Sequence, residues 1–107
     1  MGATNLSLHT KEQIMIADIA KVLAHPARVA ILQYISRQDS CICGDIVHEI
    51  GLAQPTISQH LKVIRQAGLI TGSHEGKSIC YCLDVNRFKE FQDLNNNYFN
   101  TTTANCC

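Results

Sequence analysis

Apolar residues recur every three or four positions over the first two thirds of the chain, a spacing that predicts helices. The first helix follows Thr10, which has Gln13 three residues later, as a capping box requires. Its apolar residues cover two faces, so we expect one side to pack within the domain and the other against a second subunit. A second helix, in HPARVAILQYIS, carries Pro26 in its first turn, where proline is favoured.

Two further helices are predicted in the middle of the chain. DIVHEIGL forms a short third helix that ends at Gly51. AQPTISQHLKVIRQAGLI forms a fourth helix from about Gln54 to Ala67, with Pro55 in its first turn and Gly68 as its C-terminal stop. The spacing i, i+4, i+7 marks a buried stripe on this helix, made of Ile57, Leu61 and Ile64.

The period then changes to two. In LITGSHEGKSICYCLD, apolar and small residues alternate on either side of the turn signal SHEG, which predicts a β-hairpin. A last helix, VNRFKEFQDLNNNYF, places aromatic residues on one face, and a polar tail follows. We therefore expect one mainly α domain over residues 1–107 with the order α-α-α-α-β-β-α, and flexible tails at 1–9 and 100–107.

Composition limits the function. Lysine plus arginine and aspartate plus glutamate number nine each, so any nucleic-acid surface must be a local patch. Tryptophan is absent and aromatic residues are scarce, which argues against a platform for stacking single-stranded bases. The sequence contains neither a signal-peptide pattern nor an apolar run long enough to span a membrane, so we expect a cytoplasmic protein with no membrane partner.

A helix, a short turn, a second helix and then a hairpin form a winged helix-turn-helix. The fourth helix is its reading helix, and a polar face beside a buried stripe suits a major groove, although such a face can also be simply solvated. The hairpin tip can reach the DNA backbone or minor groove. The residues that we expect to contact double-stranded operator DNA are Gln54, Thr56, Ser58, Gln59, His60, Lys62, Arg65, His74 and Lys77.

The chain resembles the ArsR/SmtB family of metalloregulatory repressors. The segments that carry the resemblance are LAHPARVAILQYI, CICGDIVHEIGLAQPTISQHLKVIRQAGLI and GKSICYCL, which together run from about Leu23 to Leu83. The resemblance implies a winged-helix homodimer that pairs through its first and last helices. It also implies an operator with two-fold symmetry.

Arsenic sensors of this family carry a CxC motif near an acidic residue at the start of the third helix, and CICGD is similar to it. Thiolates are soft ligands that suit As(III) or Sb(III), so we expect such an ion as the inducer, with Cys41 and Cys43 as ligands and no organic cofactor. Within a helix, residues i and i+2 point to nearly opposite sides. The two sulfurs can then converge only if the first helical turn opens or never forms.

The sequence does not determine the third ligand of the arsenic ion. Many arsenic sensors have a cysteine where this chain has Ile46. Cys106 and Cys107 are candidates from the tail, and the alternative is a two-thiolate site for a monomethylated trivalent arsenical. For Cys80 and Cys82, we favour a role as small, partly buried strand residues.

Other functions compete with the arsenic sensor. The cysteines could form a disulfide or polysulfide and so sense oxidants or sulfide, or they could bind Cd(II) or Pb(II). An interhelical zinc site is disfavoured because the last helix has no histidine. An enzyme is disfavoured because CxC differs from the redox motif CxxC and no βαβ pattern surrounds it.

Overall fold

The computed structural model describes residues 8–38, 40–44, 46–76 and 78–104. Within these ranges, five helices and three strands follow one another in the order α1 (Lys11–Val22), α2 (Pro26–Ser36), β1 (Ile42–Cys43), α3 (Ile46–Ile50), α4 (Gln54–Gln66), β2 (Ile70–Glu75), β3 (Ser78–Leu83) and α5 (Val85–Ala104). The predicted winged helix-turn-helix is confirmed, with one addition, the strand β1.

The ends of the helices follow the predicted sequence signals. The hydroxyl of Thr10 accepts a hydrogen bond from the Gln13 amide at 3.1 Å, and the Gln13 side chain accepts one from the Thr10 amide at 3.0 Å. At the end of α4, the amide of Gly68 donates to the carbonyl of Arg65, and the amide of Leu69 donates to that of Ile64. This is a Schellman motif, and Gly68 adopts the left-handed φ of +83° that the motif requires.

The core forms where the apolar stripes of the helices meet the sheet. Ile57, Leu61 and Ile64 of α4 are all buried, as predicted, and Ile64 is fully inaccessible. They pack with buried residues of α1, α2, α3, β2 and α5 in one cluster. On α1, Ile19 and Val22 face this core, whereas Leu23, just past the helix end, remains exposed. One of the two apolar faces of α1 is therefore buried within the chain.

The sheet is antiparallel and has the strand order β1-β3-β2. β2 pairs with β3 from Ile70 opposite Leu83 to Glu75 opposite Ser78. The turn of the hairpin is thus shorter than the predicted segment SHEG, because His74 and Glu75 belong to β2. On the other edge of β3, Ile42 pairs with Tyr81 and Cys43 pairs with Cys80.

Two sequence expectations differ from the structure. Residues 100–104, expected to lie in a flexible tail, are the last turn of α5, because no glycine or proline interrupts the helix between Val85 and Ala104. The segment of Cys41 and Cys43, expected at the start of a helix, is extended, and α3 begins only at Ile46. Gly44 separates the two elements with a φ of +93°, which breaks the path of the strand.

Candidate nucleic-acid interface and thiol site

The exposed face of α4 is polar along its whole length. Six of the predicted DNA contacts are exposed on this helix: Gln54, Thr56, Ser58, Gln59, Lys62 and Arg65. The side-chain amide of Gln54 donates to the hydroxyl of Ser58 at 3.1 Å, so these two groups already share one hydrogen bond. His74 is exposed on β2, and Lys77 lies outside the described residues.

His60 is the exception on α4, because it is half-buried and faces α2. Arg28 Nε donates to His60 Nδ1 at 3.2 Å, and the same guanidinium donates through Nη1 to the Lys21 carbonyl at 3.0 Å. Burial, together with the charge of Arg28 and the proximity of His25, lowers the pKa of His60. A neutral ring can accept the bond from Arg28, so His60 holds α4 against α2, while its contact with DNA stays a prediction.

Arg65 lies against the wing. A Cβ atom placed on Gly72 would be 3.3 Å from Arg65 Nη1 and 3.3 Å from the ring of Tyr81. The missing side chain at Gly72 therefore leaves room for the guanidinium beside the hairpin. This contact places the guanidinium of Arg65, near the C-terminal end of α4, directly beside the wing.

The thiol site lies where β1 joins the sheet. Cys41 and Cys82 form a disulfide, with their Cα atoms 4.5 Å apart. This separation is typical of a non-hydrogen-bonded antiparallel pair, in which opposite side chains approach most closely. Two pairs further along the ladder, beyond Ile42 and Tyr81, Cys43 lies opposite Cys80. Two CxC segments, one on each strand, are thus aligned in register.

The disulfide lies beside an open groove. Cys41 is exposed and Cys82 is half-buried. Together with residues at the end of α2 and the start of α5, they line a groove of about 260 Å³. A small inorganic ligand can therefore reach these two sulfurs from solvent. Cys80, which is also disulfide-bonded, is only 3% exposed.

The predicted cysteine ligands divide into two groups. Cys41 and Cys43 lie together at the β1 edge, whereas Cys106 and Cys107 lie outside the described residues. Within the described ranges, no group of three or more His, Cys, Asp or Glu residues is preassembled as a metal site. Cys80 and Cys82 are buried or partly buried strand residues, as predicted, but packing is not their whole role, because Cys82 is bonded to Cys41 and Cys80 is also disulfide-bonded. The signal that could have identified this role is the second CxC motif, in ICYC.

Helices α1 and α5 pack against each other and present apolar residues to solvent. Val85 and Phe99 are 68% and 61% exposed, and Leu23 is 45% exposed. Between these helices lies an apolar groove of about 490 Å³ that Phe88 helps to line. Across the described ranges, none of the helices combines the length and apolarity that a bilayer crossing requires.

Comparison with known proteins places these features in a family. A family model described as "Bacterial regulatory protein, arsR family" matches residues 25–71, which include α2, β1, α3 and α4. The chain is similar to the arsenical resistance operon repressor of Staphylococcus xylosus, with 31% identity over 85% of this chain and 86% of that protein. It is also 33% identical to the transcriptional repressor SmtB of Mycobacterium tuberculosis over 62% of this chain, but the match spans only 48% of that repressor.

A crystal structure of an ArsR family transcriptional regulator shares the fold, with a TM-score of 0.72 over 92% of this chain and 100% of that one at 16% identity. The family consists of regulatory proteins, which agrees with the prediction that the chain is not an enzyme. The fold and the sequence matches lead to one conclusion: the chain belongs to the arsR family of bacterial regulatory proteins.

Proposed function

We propose that this protein is a transcriptional repressor that binds double-stranded operator DNA through α4 and the wing. The observation that supports this is the polar, exposed face of α4 on a helix whose other face is fixed in the core. Such a face can enter a major groove, where glutamine pairs with adenine and lysine contacts phosphates or guanine. Exposed His74 on β2 extends the surface toward the adjacent backbone.

The repressor acts as a homodimer that pairs through α1 and α5. Exposed Val85, Phe99 and Leu23 support this arrangement, because an apolar surface of this kind on two packed helices gains free energy when a second copy covers it. Two copies related by a two-fold axis would present two α4 helices to two half-sites. The operator is then an inverted repeat.

The inducer is trivalent arsenic or antimony, bound by cysteine thiolates at the β1 edge. Support comes from the accessible Cys41, which lies in the segment leading directly to α3. The similarity to an arsenical resistance operon repressor points to the same ligand class. Reduced thiols at this position would bind the soft ion and alter how β1 holds α3 and α4. Converting mostly bound repressor to mostly free requires about 5.5 kcal/mol of preference for the released state.

A second candidate uses the same cysteines as an oxidant sensor. The Cys41–Cys82 disulfide favours it. In this version the two thiols give two electrons to a peroxide, forming one disulfide and releasing the peroxide oxygens as water. The disulfide would join β1 covalently to β3, and that link would be the signal.

Fluorescence anisotropy of the reduced protein on DNA from upstream of its own gene tests both candidates. Arsenite should release the DNA, and Cys41→Ser and Cys43→Ser should each abolish that release while leaving binding without arsenite intact. Peroxide, persulfide and cadmium are titrated in parallel. Release by peroxide alone, reversed by a dithiol, would replace the arsenic sensor with the redox sensor. Cadmium as the sole effective agent would replace it with a divalent-ion sensor.

A further inference from the structure

The second CxC segment, Cys80 to Cys82 on β3, was not among the inducer ligands predicted from the sequence. The register of β3 against β1 indicates that it contributes one. Cys43 lies opposite Cys80 on the ladder, and two positions outward, past the pair Ile42 and Tyr81, Cys41 meets Cys82 at a Cα separation of 4.5 Å. The wing strand thus brings a further sulfur, that of Cys82, next to Cys41, and this chain has Ile46 where many arsenic sensors have their third cysteine.

We propose that Cys82 is the third thiolate of the inducer site, together with Cys41 and Cys43. This inference rests on the proposed function and names the ligand that completes its site. Cys82 is the strand cysteine in direct contact with Cys41, and its half-buried side chain borders the same groove. Cys80 is left out of the set because its side chain is only 3% exposed, and like Cys82 it is disulfide-bonded in this structure.

The chemistry balances with these three thiols. Arsenous acid carries three hydroxyl groups. Each thiol forms one As–S bond and gives its proton to one hydroxyl, so that three water molecules leave. The oxidation state of arsenic does not change. The Cys41–Cys82 disulfide and the disulfide that Cys80 forms must first each accept two electrons from a dithiol reductant, because a bonded sulfur has no thiolate to offer.

A site of this composition would join two strands that lead into the proposed DNA-binding elements. Through Gly44, β1 leads into α3, and β3 carries the wing that pairs with β2. An ion held by Cys41, Cys43 and Cys82 would set the spacing between β1 and β3. A ligand shifts an equilibrium only by its differential affinity for the two states. For the ion to act as an inducer, the spacing between β1 and β3 that it stabilises must therefore differ from the spacing in the DNA-bound protein.

Protection from alkylation tests the ligand set in the full-length, reduced protein. The protein is treated with iodoacetamide with and without stoichiometric arsenite, and the modified cysteines are mapped by mass spectrometry. We expect arsenite to protect Cys41, Cys43 and Cys82, while Cys106 and Cys107 are alkylated to the same extent in both samples. Protection of Cys41 and Cys43 together with the tail pair, and alkylation of Cys82, would overturn the inference.

Variants add a functional readout. Cys82→Ser should raise the arsenite concentration for half-release of DNA by at least about tenfold, equivalent to the loss of one strong ligand. Its matched control is the double variant Cys106→Ser/Cys107→Ser, which should respond like the wild type. Both should bind DNA normally without arsenite, which shows that they fold. The reverse ranking of the two variants would assign the third ligand to the tail.

The failure of the inference and that of the proposed function are distinguishable. If arsenite never releases DNA from the wild type, the arsenic sensor itself is wrong. If the wild type responds and Cys82→Ser responds at the same arsenite concentration, only the assignment of Cys82 is wrong.

Discussion

Arg28 on α2 donates a hydrogen bond from Nε to Nδ1 of His60 on α4, at 3.2 Å. The bond joins the reading helix to the helix behind it through a ring that must remain neutral to accept it. Replacement of Arg28 by alanine should therefore loosen α4 and lower the free energy of unfolding by about 1 kcal/mol. Urea unfolding followed by circular dichroism measures this loss, and Arg37→Ala, at the exposed end of α2, is the matched control.

The same ring makes stability depend on pH. The pKa of His60 lies below its ordinary value of 6.5 in the folded chain, so the unfolded chain binds the proton first as pH falls. The free energy of unfolding should be largest above pH 6.5 and should decrease as pH falls from 6.5 through the lowered pKa. In His60→Gln this decrease should be smaller, whereas His48→Gln, on the exposed side of α3, should keep it. Equal pH profiles for His60→Gln and wild type would contradict the prediction.

The left-handed glycine after α4 should tolerate substitution poorly. Gly68→Ala places a Cβ at a φ of +83° and 3.2 Å from Arg87 Nε, so it adds backbone strain and a tight contact. We expect a loss of about 1–2 kcal/mol in unfolding free energy. Gly68→Asn should lose less stability, because asparagine adopts this conformation more readily. A larger loss in the asparagine variant would show that the contact with Arg87, rather than the backbone, dominates.

Lys62, exposed on α4, should contribute a phosphate contact in the proposed complex. Lys62→Ala should weaken binding to operator and to unrelated DNA alike, and should reduce the salt slope of binding by about 1. Gln59→Ala, by contrast, should reduce the preference for operator over unrelated DNA, as expected for a residue that reads base edges. Anisotropy at several salt concentrations separates the two effects. Lys11→Ala, on the exposed part of α1, should leave both quantities unchanged.

The apolar surface of α1 and α5 should be the dimer contact. Val85→Asp places a charge on a residue that is 68% exposed in the single chain, so it should leave the fold intact but disfavour burial against a second copy. Sedimentation velocity should show a monomer for this variant and a dimer for the wild type. Leu52→Asp, an exposed apolar residue in the turn before α4, should remain dimeric. If the Val85→Asp variant sediments as a dimer, the dimer interface lies on another surface.

Much of this fold could be predicted from local signals. The capping box at Thr10, the proline starts of α2 and α4, and the glycine stops at Gly51 and Gly68 act within a few residues, and each lies where the sequence placed it. The buried stripe of α4 followed directly from its helical spacing. These features depend on interactions between residues close in the sequence, so they can be predicted from the sequence alone.

The differences arise from contacts between distant segments. β1 has two residues and no strand signal of its own, and it exists because β3 offers an edge with which it can pair. The partnership of Cys41 with Cys82 spans 41 residues and depends on that pairing. His60 was assigned to the DNA face from its place in a basic helix, whereas the position of Arg28 directs it inward. Each of these relationships joins residues that are far apart in the sequence, so no single local segment predicts it, although the motif in ICYC marks Cys82 as a candidate.

The short connection between α4 and β2 has a consequence for the DNA itself. Only Ala67, Gly68 and Leu69 separate these two elements, and their conformation is fixed by the Schellman motif and by the bond from the Asp84 amide to the Leu69 carbonyl. The short connection therefore restricts how far α4 and the wing can move relative to each other. In the proposed complex, DNA whose groove widths match the separation between α4 and the wing would bind without deformation, and other sequences would have to bend or narrow first. Part of the operator's identity would then lie in the stiffness of base pairs that no side chain touches.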